Sequence, residues 1–180
     1  MNSMNIKTFI FNPICVNTYV VWDDSNECIF VDAGSCTDKE NERLAEFISE
    51  KKLKPVALVN THGHFDHTAG NEFLCVRYNI NAYLHADDFH TIKMASAHAE
   101  HFDVHIKNPP TPKELGAEVK FGNTTLQVLH TPGHSKGSVS LYAKNEGVVF
   151  TGDTLFRGSI GRSDFEGGDL NELMNSLHLI

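Results

Sequence analysis

The chain has 180 residues, 41% of them hydrophobic and 21% charged, which is the composition of one globular domain with a buried core. Asp and Glu number 23 against 15 Lys and Arg, and the formal charge of −8 argues against a nucleic-acid partner because phosphate binding needs positive charge. No segment is apolar enough to predict a signal peptide or a membrane span, so we expect a cytoplasmic protein without a membrane partner. The four cysteines form no Cys-x-x-Cys pair and predict free thiols, although Cys15 and Cys28 could face each other across a hairpin.

The first third of the chain predicts three antiparallel strands, followed by a helix and a buried strand. Alternating or apolar runs predict strands at residues 6–11, 16–22 and 28–31. Thr37 or Asp38 can cap a helix with an apolar stripe that reaches about Lys52. A short apolar strand at 56–60 then leads into the richest motif of the sequence.

The remaining elements alternate between helices and hairpins. We expect a helix at 69–78, a strand at 82–84, a helical segment at 87–104, hairpins formed by 118–121 with 125–130 and by 138–143 with 148–152, and a last helix capped by Asp169. The helical segment and the residues just after it carry His90, His98, His101 and His105. His98 and His101 could share a helix face, but no carboxylate or thiol lies beside them, so we interpret them as surface residues and not as a second metal site.

Three histidines and a carboxylate occupy six consecutive residues directly after the strand at 56–60: His62, His64, Asp66 and His67. In an extended segment alternate side chains point the same way, so His62 and His64 aim together, while the other two follow where the chain turns towards a helix. Imidazole and carboxylate ligands suit zinc, iron or manganese. Because no thiolate lies in the cluster, an open catalytic site is favoured over a closed structural zinc site or a polar surface loop.

Two later strand ends offer further ligands. Thr131-Pro-Gly-His134 predicts a tight turn in which Gly133 takes a positive φ and His134 points back to the sheet edge. Thr151-Gly-Asp153 ends the next apolar strand, and its glycine permits a close approach. Each residue alone could serve an ordinary turn or cap. Asp32, at a third strand end, is either an acceptor for a ligating imidazole or a simple turn residue.

These segments resemble the metallo-β-lactamase superfamily over nearly the whole chain. The matching motifs are Val31-Asp-Ala-Gly34, Thr61-His-Gly-His-Phe-Asp-His67, Thr131-Pro-Gly-His134 and Thr151-Gly-Asp-Thr154, and residues 155–164 look like the glyoxalase II-like hydrolase branch. The resemblance implies an α/β fold in which one domain, residues 1–180, forms a four-layer αββα sandwich of two mixed sheets flanked by helices. It further implies that His62, His64 and His134 hold a first metal, that Asp66 and His67 belong to a second, and that Asp153 bridges the two.

The same resemblance leads us to expect a further strand and a ligand histidine beyond the last helix, which this sequence does not contain. His178 is the nearest candidate, but its place in an amphipathic pattern predicts a helix-surface residue. We therefore expect an incomplete second metal site and self-association through an uncovered sheet edge.

The predicted activity is metal-assisted hydrolysis of a small-molecule thioester or ester. One or two zinc ions, or iron or manganese, would activate a water, and Asp66 would orient the attacking hydroxide. One alternative is an iron persulfide dioxygenase that uses His62, His134 and Asp153. Another is a non-catalytic metal- or partner-binding domain, and a nuclease is disfavoured by the acidic composition.

Overall fold

The computed structural model describes residues 4–102, 104, 106–107 and 109–180, so the predicted position of His105 lies outside the described residues. The strands are β1 (Asn5–Phe11), β2 (Val16–Trp22), β3 (Glu27–Val31), β4 (Lys54–Val59), β5 (Ala82–Leu84), β6 (Lys113–Glu114), β7 (Glu118–Phe121), β8 (Thr124–His130), β9 (Val139–Ala143), β10 (Val148–Phe150), β11 (Leu155–Phe156) and β12 (Ser159–Ile160). The helices are α1 (Asp38–Lys51), α2 (Phe65–Thr68), α3 (Asn71–Tyr78), α4 (Phe89–Lys93), α5 (Ala95–Glu100) and α6 (Leu170–Leu177), with one 3₁₀ turn at Ala86–Asp88.

The strands form two main sheets of different character. The first has the order β1-β2-β3-β4-β5-β6, antiparallel from β1 to β3 and parallel from β3 to β6, as the prediction of a mixed sheet requires. The second has the order β10-β9-β8-β7 and is antiparallel in every described pair, so the prediction that both sheets are mixed is wrong. The linkers between successive strands of this sheet are too short for the crossover connection that a parallel pair requires, so these strands pair antiparallel. A separate ribbon pairs β11 with β12.

The two sheets bury a shared core, and the first sheet buries a second core under helices. Inward-facing residues of both sheets meet in one cluster that includes Ile29, Val59, Phe121, Leu126 and Leu141. The opposite face of the first sheet packs on α1 and α3 through a cluster that includes Phe30, Leu44, Ile48, Leu58 and Leu74. The αββα architecture is thereby confirmed. That residues 1–180 form a single domain, and that an uncovered sheet edge mediates self-association, stay predictions.

Local sequence explains where the helices begin and where one prediction fails. Thr37 caps α1 in a capping box with Glu40, and Asp169 caps α6 through the backbone N–H of Glu172, as predicted. The single helix predicted at 87–104 is wrong, because the chain is divided there into the 3₁₀ turn, α4 and α5. After this division, Ala95 and Ala99 of α5 are buried in a small cluster with Phe65.

The cysteines are free thiols, as predicted. Cys28 is buried in β3 opposite Trp22, whereas Cys15 lies exposed in the β1–β2 turn, so the two do not face each other. No helix among the described residues is long and apolar enough to cross a membrane.

Candidate metal centre

Parallel pairing of β3 with β4 brings two motif-bearing strand ends side by side. Val31 pairs with Val59, and the backbone N–H of Asp32 donates to the Val59 carbonyl at 2.9 Å, so Asp32 and the histidine segment leave the sheet together. The second sheet joins at the same end, where the N–H of Val139 donates to the Thr61 carbonyl at 2.8 Å. The carboxyl ends of β3, β4 and β8 thus meet at one edge of the sandwich, as the sequence predicts.

The first group of converging side chains consists of His62, His64 and His134, whose possible ligand atoms lie within 4.8 Å of one another. Nδ1 of His64 lies 2.9 Å from Nε2 of His134. The His62 ring is 1% exposed, and its Nε2 is buried without a hydrogen-bond partner. A buried unpaired nitrogen costs free energy, so a site that retains one is built to place it against another group.

Second contacts fix which nitrogen of His134 and of His62 points into this group. Nδ1 of His134 lies 2.7 Å from the carbonyl of Arg162, which can only accept, so this nitrogen carries the proton and Nε2 presents its lone pair. The Thr61 hydroxyl donates to Asp32 at 2.9 Å, so its oxygen is left to accept from Nδ1 of His62 at 3.1 Å. Nε2 of His62 therefore also presents a lone pair to the centre.

A second group consists of His62, His67 and Asp153. Nδ1 of His67 donates to Asp32 at 2.8 Å, and Nε2 lies 3.2 Å from Oδ1 of Asp153 without hydrogen-bond geometry. Asp66 lies beside this group, with its Oδ2 3.7 Å from Nε2 of His67. Asp32 thus orients His67 directly and His62 through Thr61, and its φ of +58° also places it at a tight bend. That these imidazoles bind a metal stays a prediction.

The protonation preferences of these groups follow from burial and from their neighbours. Burial, reinforced by the surrounding histidines, holds the pKa of His62 well below its ordinary value, and burial with His134 lowers the pKa of His64 to about 3. Burial would also lower the pKa of His67, but the carboxylates of Asp32 and Asp153 outweigh it and hold the pKa well above its usual range. Burial raises the pKa of Asp66.

For Asp153, burial is outweighed by the neighbouring His67, and the pKa of the carboxyl lies below its ordinary value. Two neutral imidazoles, a carboxylate held ionised and buried nitrogens without partners are the donor set that a divalent zinc or iron ion prefers. The residues therefore fit a metal ion. Which of them bind it stays a prediction.

Asp88 is a contributor to this edge that the sequence interpretation missed. Its carboxylate is fully buried and accepts from the N–H of Gly63 at 2.7 Å, the hydroxyl of Ser135 at 2.7 Å and the N–H of Gly137 at 2.8 Å. One side chain thereby joins the loop that carries His62 and His64 to the loop that carries His134. The sequence contains no signal for this role, because Asp88 stands next to an exposed aspartate, Asp87, and its partners lie 25 to 49 residues away.

Close backbone packing explains the two motif glycines. Gly152 has φ of +50°, and a Cβ there would overlap Oγ1 of Thr61, the atom that connects His62 with Asp32. Gly133 has φ of +124°, and a Cβ there would overlap the backbone of Leu173 in α6. The positive φ predicted for Gly133 is confirmed.

Other histidines lie outside the two groups. His178 is exposed at the end of α6, as predicted, and His98 and His101 are exposed on and just after α5. A third set, His85, Asp87 and His130, has possible ligand atoms within 4.8 Å. Its imidazoles are stacked, with centroids 4.3 Å apart and planes 10° from parallel, so their lone pairs lie in parallel planes and do not converge on one ion.

Comparison with known proteins decides the family. A sequence profile described as the Metallo-beta-lactamase superfamily matches residues 13–179. The chain belongs to this superfamily. It is 35% identical over 170 residues to the probable metallo-hydrolase YqgX of Bacillus subtilis, covering 92% of this chain and 78% of that protein. It is 30% identical over 179 residues to the hydroxyacylglutathione hydrolase GloC of Haemophilus influenzae, covering 97% and 82%.

Solved structures of similar proteins agree with the fold. The BLEG-1 B3 metallo-beta-lactamase superimposes with a TM-score of 0.86 at 34% identity, covering 97% of this chain and 84% of that one. The structure of TTHA1623 in a di-iron-bound form superimposes with a TM-score of 0.86 at 33% identity, covering 96% and 84%. This superfamily member is accordingly similar to proteins whose names record hydrolysis and, in one case, a pair of iron ions.

Proposed function

We propose that this superfamily member is a metal-dependent hydrolase of thioesters or related esters, with zinc the first choice of metal and iron or manganese the alternatives. The names of the two similar proteins from Bacillus subtilis and Haemophilus influenzae support hydrolysis and the thioester class. The single observation that carries the proposal is the buried, unpaired Nε2 of His62, whose ring centroid lies 4.7, 4.1 and 4.7 Å from those of His64, His67 and His134.

The proposal gives each side chain of the edge a role. His62, His64 and His134 would hold one ion, and His67, Asp66 and Asp153 would hold a second. Such ions, when bound, lower the pKa of a bound water towards neutrality and polarise a carbonyl group. Asp66, whose Oδ2 lies 3.7 Å from Nε2 of His67, would orient the attacking water. Asp32 and Arg162 hold the imidazoles in one tautomer.

The state of the thiols favours direct attack by water over a covalent cysteine intermediate. Burial raises the pKa of Cys28 to about 12 and those of Cys36 and Cys75 to about 11. Since the thiolate is the reactive form of cysteine, these three side chains are poor nucleophiles at neutral pH.

A panel assay tests the proposal. Protein purified without chelator is analysed for metal content and is then offered thioesters, lactones and phosphodiesters. We expect thioester turnover that a chelator removes and that added zinc restores. Asp66→Asn should lower kcat more than it changes KM, because the carboxylate acts on the water and not on the bound ester. Asp38→Asn, at an exposed aspartate in the first turn of α1, is the matched control.

Three results would contradict the proposal. They are near-zero metal content, no metal-dependent turnover of any substrate in the panel, and iron accompanied by oxygen consumption with a persulfide. The last of these would favour the dioxygenase alternative. Equal losses in kcat and in binding for Asp66→Asn would point to a structural role for that carboxylate.

Hydrolysis of β-lactams is a second candidate, favoured by the similarity to the BLEG-1 B3 metallo-beta-lactamase. A chromogenic cephalosporin added to the same panel distinguishes the two activities. Turnover of the lactam with kcat/KM above that of every thioester would make the lactam the preferred substrate class.

A further inference from the structure

The exposed phenylalanines of the molecule are concentrated at one place. Three of the twelve phenylalanines are exposed, Phe102 at 57%, Phe156 at 43% and Phe165 at 43%, and all three line a cavity of about 840 Å³ beside the candidate metal centre. Ile14 and Met94, exposed at 44% and 40%, line the same cavity. These five side chains, called here the apolar rim, come from separate segments of the chain. Clustered exposed apolar surface of this kind marks a binding site.

The apolar rim begins at the metal centre itself. His64, Asp66, His134 and Asp153 line the same cavity. The Phe165 ring makes an edge contact with the His64 ring, with centroids 5.7 Å apart. Phe102 packs on the buried Phe65, with ring centroids 5.2 Å apart, while 57% of its own surface stays exposed. A molecule with its reacting carbonyl at the histidines therefore has its substituent against phenylalanine.

Acidic and basic side chains are balanced along the cavity wall, so the wall is poorly suited to recognise an anionic substituent. Apart from the candidate ligands, the Asp, Glu, Lys and Arg side chains described along its wall are Asp87, Glu166, Lys136 and Arg162, two of each sign, and three histidines, His90, His98 and His101, also line it. Arg162 is already engaged, with its guanidinium 4.2 Å from the centre of the Phe165 ring and 2.7 Å from Asp164. The carboxylates of a thiol such as glutathione would meet no excess of lysine or arginine among these described residues.

We infer that the apolar rim selects thioesters or esters with a bulky apolar acyl group, aromatic or medium-chain aliphatic, over those with a small polar acyl group. This inference rests on the proposed hydrolase function and names its substrate class. Burial of each added methylene against apolar side chains favours binding by up to about fourfold, so discrimination should grow with acyl size until the cavity is filled.

A series of N-acetylcysteamine thioesters tests selectivity in turnover, because the thiol half stays constant while the acyl group varies from acetyl to hexanoyl and phenylacetyl. For the wild-type protein we expect kcat/KM to rise about two- to fourfold per methylene. Phe102→Ala and Met94→Ala should each reduce the phenylacetyl to acetyl ratio about tenfold. Met174→Ala is the matched control, since Met174 is 45% exposed on α6 and does not line the cavity.

Binding of the product acids provides a measurement that does not depend on turnover. Calorimetry with phenylacetate and acetate should show at least about tenfold tighter binding of phenylacetate. Phe102→Ala should reduce that preference and Met174→Ala should preserve it. If no thioester is hydrolysed but phenylacetate is preferred, the hydrolase proposal fails and the apolar selection stands.

Two outcomes would overturn the inference while the hydrolase proposal survives. One is thioester turnover with kcat/KM independent of acyl size. The other is turnover governed by the thiol half, so that acylglutathiones are much better substrates than the matching N-acetylcysteamine thioesters whatever the acyl group. An equal loss of selectivity in Met94→Ala and Met174→Ala would also contradict a role for the rim.

Discussion

The two ends of the sandwich are each closed by a buried carboxylate, but with different results. At the end away from the candidate site, Asp23 accepts from the N–H and hydroxyl of Ser25 and from Asn123 and Thr124, tying the β2–β3 turn to the β7–β8 turn. At the site end, Asp88 ties the histidine loop to the His134 loop in the same way. Both carboxylates are buried and bonded mainly to backbone and hydroxyl groups.

The two ends differ in whether they leave buried polar atoms without a hydrogen-bond partner. The bonds at the Asp23 end close the two turns on each other, whereas those at the Asp88 end hold a set of rings in which Nε2 of His62 and of His67 have no hydrogen-bond partner among the described residues. A buried carboxylate therefore joins two turns at one end, and at the other end it holds two loops whose ring nitrogens lack hydrogen-bond partners. A fold can in this way keep buried polar atoms available for a ligand while the loops that carry them are held in place.

The largest expected effect is on metal content. His62→Ala or His134→Ala removes a nitrogen from the first group and should reduce bound metal to background, because the remaining groups no longer surround an ion. Elemental analysis of purified protein measures this. His178→Ala, which removes an exposed histidine at the end of α6, is the control and should leave the metal content unchanged. Unchanged metal content in His62→Ala would show that the metal is not bound at the candidate site.

The two carboxylates themselves provide the next test. Asp88→Asn and Asp23→Asn each replace an acceptor of several hydrogen bonds with an amide that can accept through one oxygen only, and each should lower the free energy of unfolding by about 1–3 kcal/mol. Only Asp88→Asn should also weaken metal binding, by about tenfold or more. Denaturant unfolding and competition with a chelator measure the two quantities.

The absorption spectrum of the cobalt-substituted protein gives a second measure of site geometry. It should change in Asp88→Asn and stay the same in Asp23→Asn, since only Asp88 joins the two histidine-bearing loops. Equal effects of the two substitutions on metal affinity would show that metal binding follows global stability, and that Asp88 has no positioning role.

Gly147 and Gly152 have similar backbone angles but different surroundings, so they allow backbone strain and an effect on the site to be separated. Gly147, in the β9–β10 turn, has φ of +64° and open space within 4 Å of the position that a Cβ would take, while Gly152 has φ of +50° and the Thr61 hydroxyl in that position. Gly147→Ala should cost about 1–2 kcal/mol of backbone strain and leave metal affinity unchanged. Gly152→Ala should cost more and weaken metal binding as well, since it displaces the residue that orients His62.

Thermal unfolding and metal competition on both glycine variants check this. Indistinguishable results would mean that the contact between Gly152 and Thr61 relaxes without disturbing His62.

The smallest expected effect is a pH dependence at the end away from the site. Burial would raise the pKa of Asp23, but its hydrogen bonds outweigh burial and hold the pKa below the ordinary 3.8. A lowered folded-state pKa stabilises the protein above the unfolded-state pKa, and this contribution is lost as the pH falls through the folded-state value. The stability gap between wild type and Asp23→Asn should therefore be constant near neutral pH and shrink below about pH 4. A gap that widens towards acid pH would contradict the assignment.

Much of this arrangement was accessible from the sequence because local patterns determine it. The β1–β2 and β7–β8 hairpins follow from alternating residues around turns, and α1 and α6 begin at the predicted caps. The strand-end positions of His62, His64 and His134 brought those residues together as predicted.

The remainder depends on contacts that no local pattern encodes. Asp88 binds partners 25 to 49 residues away, and nothing in its own segment distinguishes it from the exposed Asp87 beside it. The helix predicted at 87–104 is interrupted, and the α5 residues Ala95 and Ala99 pack against Phe65, which lies on α2. The second sheet differs from its prediction for another reason, since the family resemblance implied mixed pairing whereas the short turns between its strands permit only antiparallel neighbours.

The different burial of Cys15 and Cys28 allows opening of the folded protein to be measured by alkylation. Cys15 is exposed in a turn, so an alkylating reagent can reach it in the folded protein, whereas Cys28 is fully buried between neighbouring strands. Modification of Cys28 must wait until the helices that cover this face of the first sheet move away, and its rate then reports how often that core opens. Two thiols in one short stretch of chain thus record surface access and core opening in a single mass spectrum.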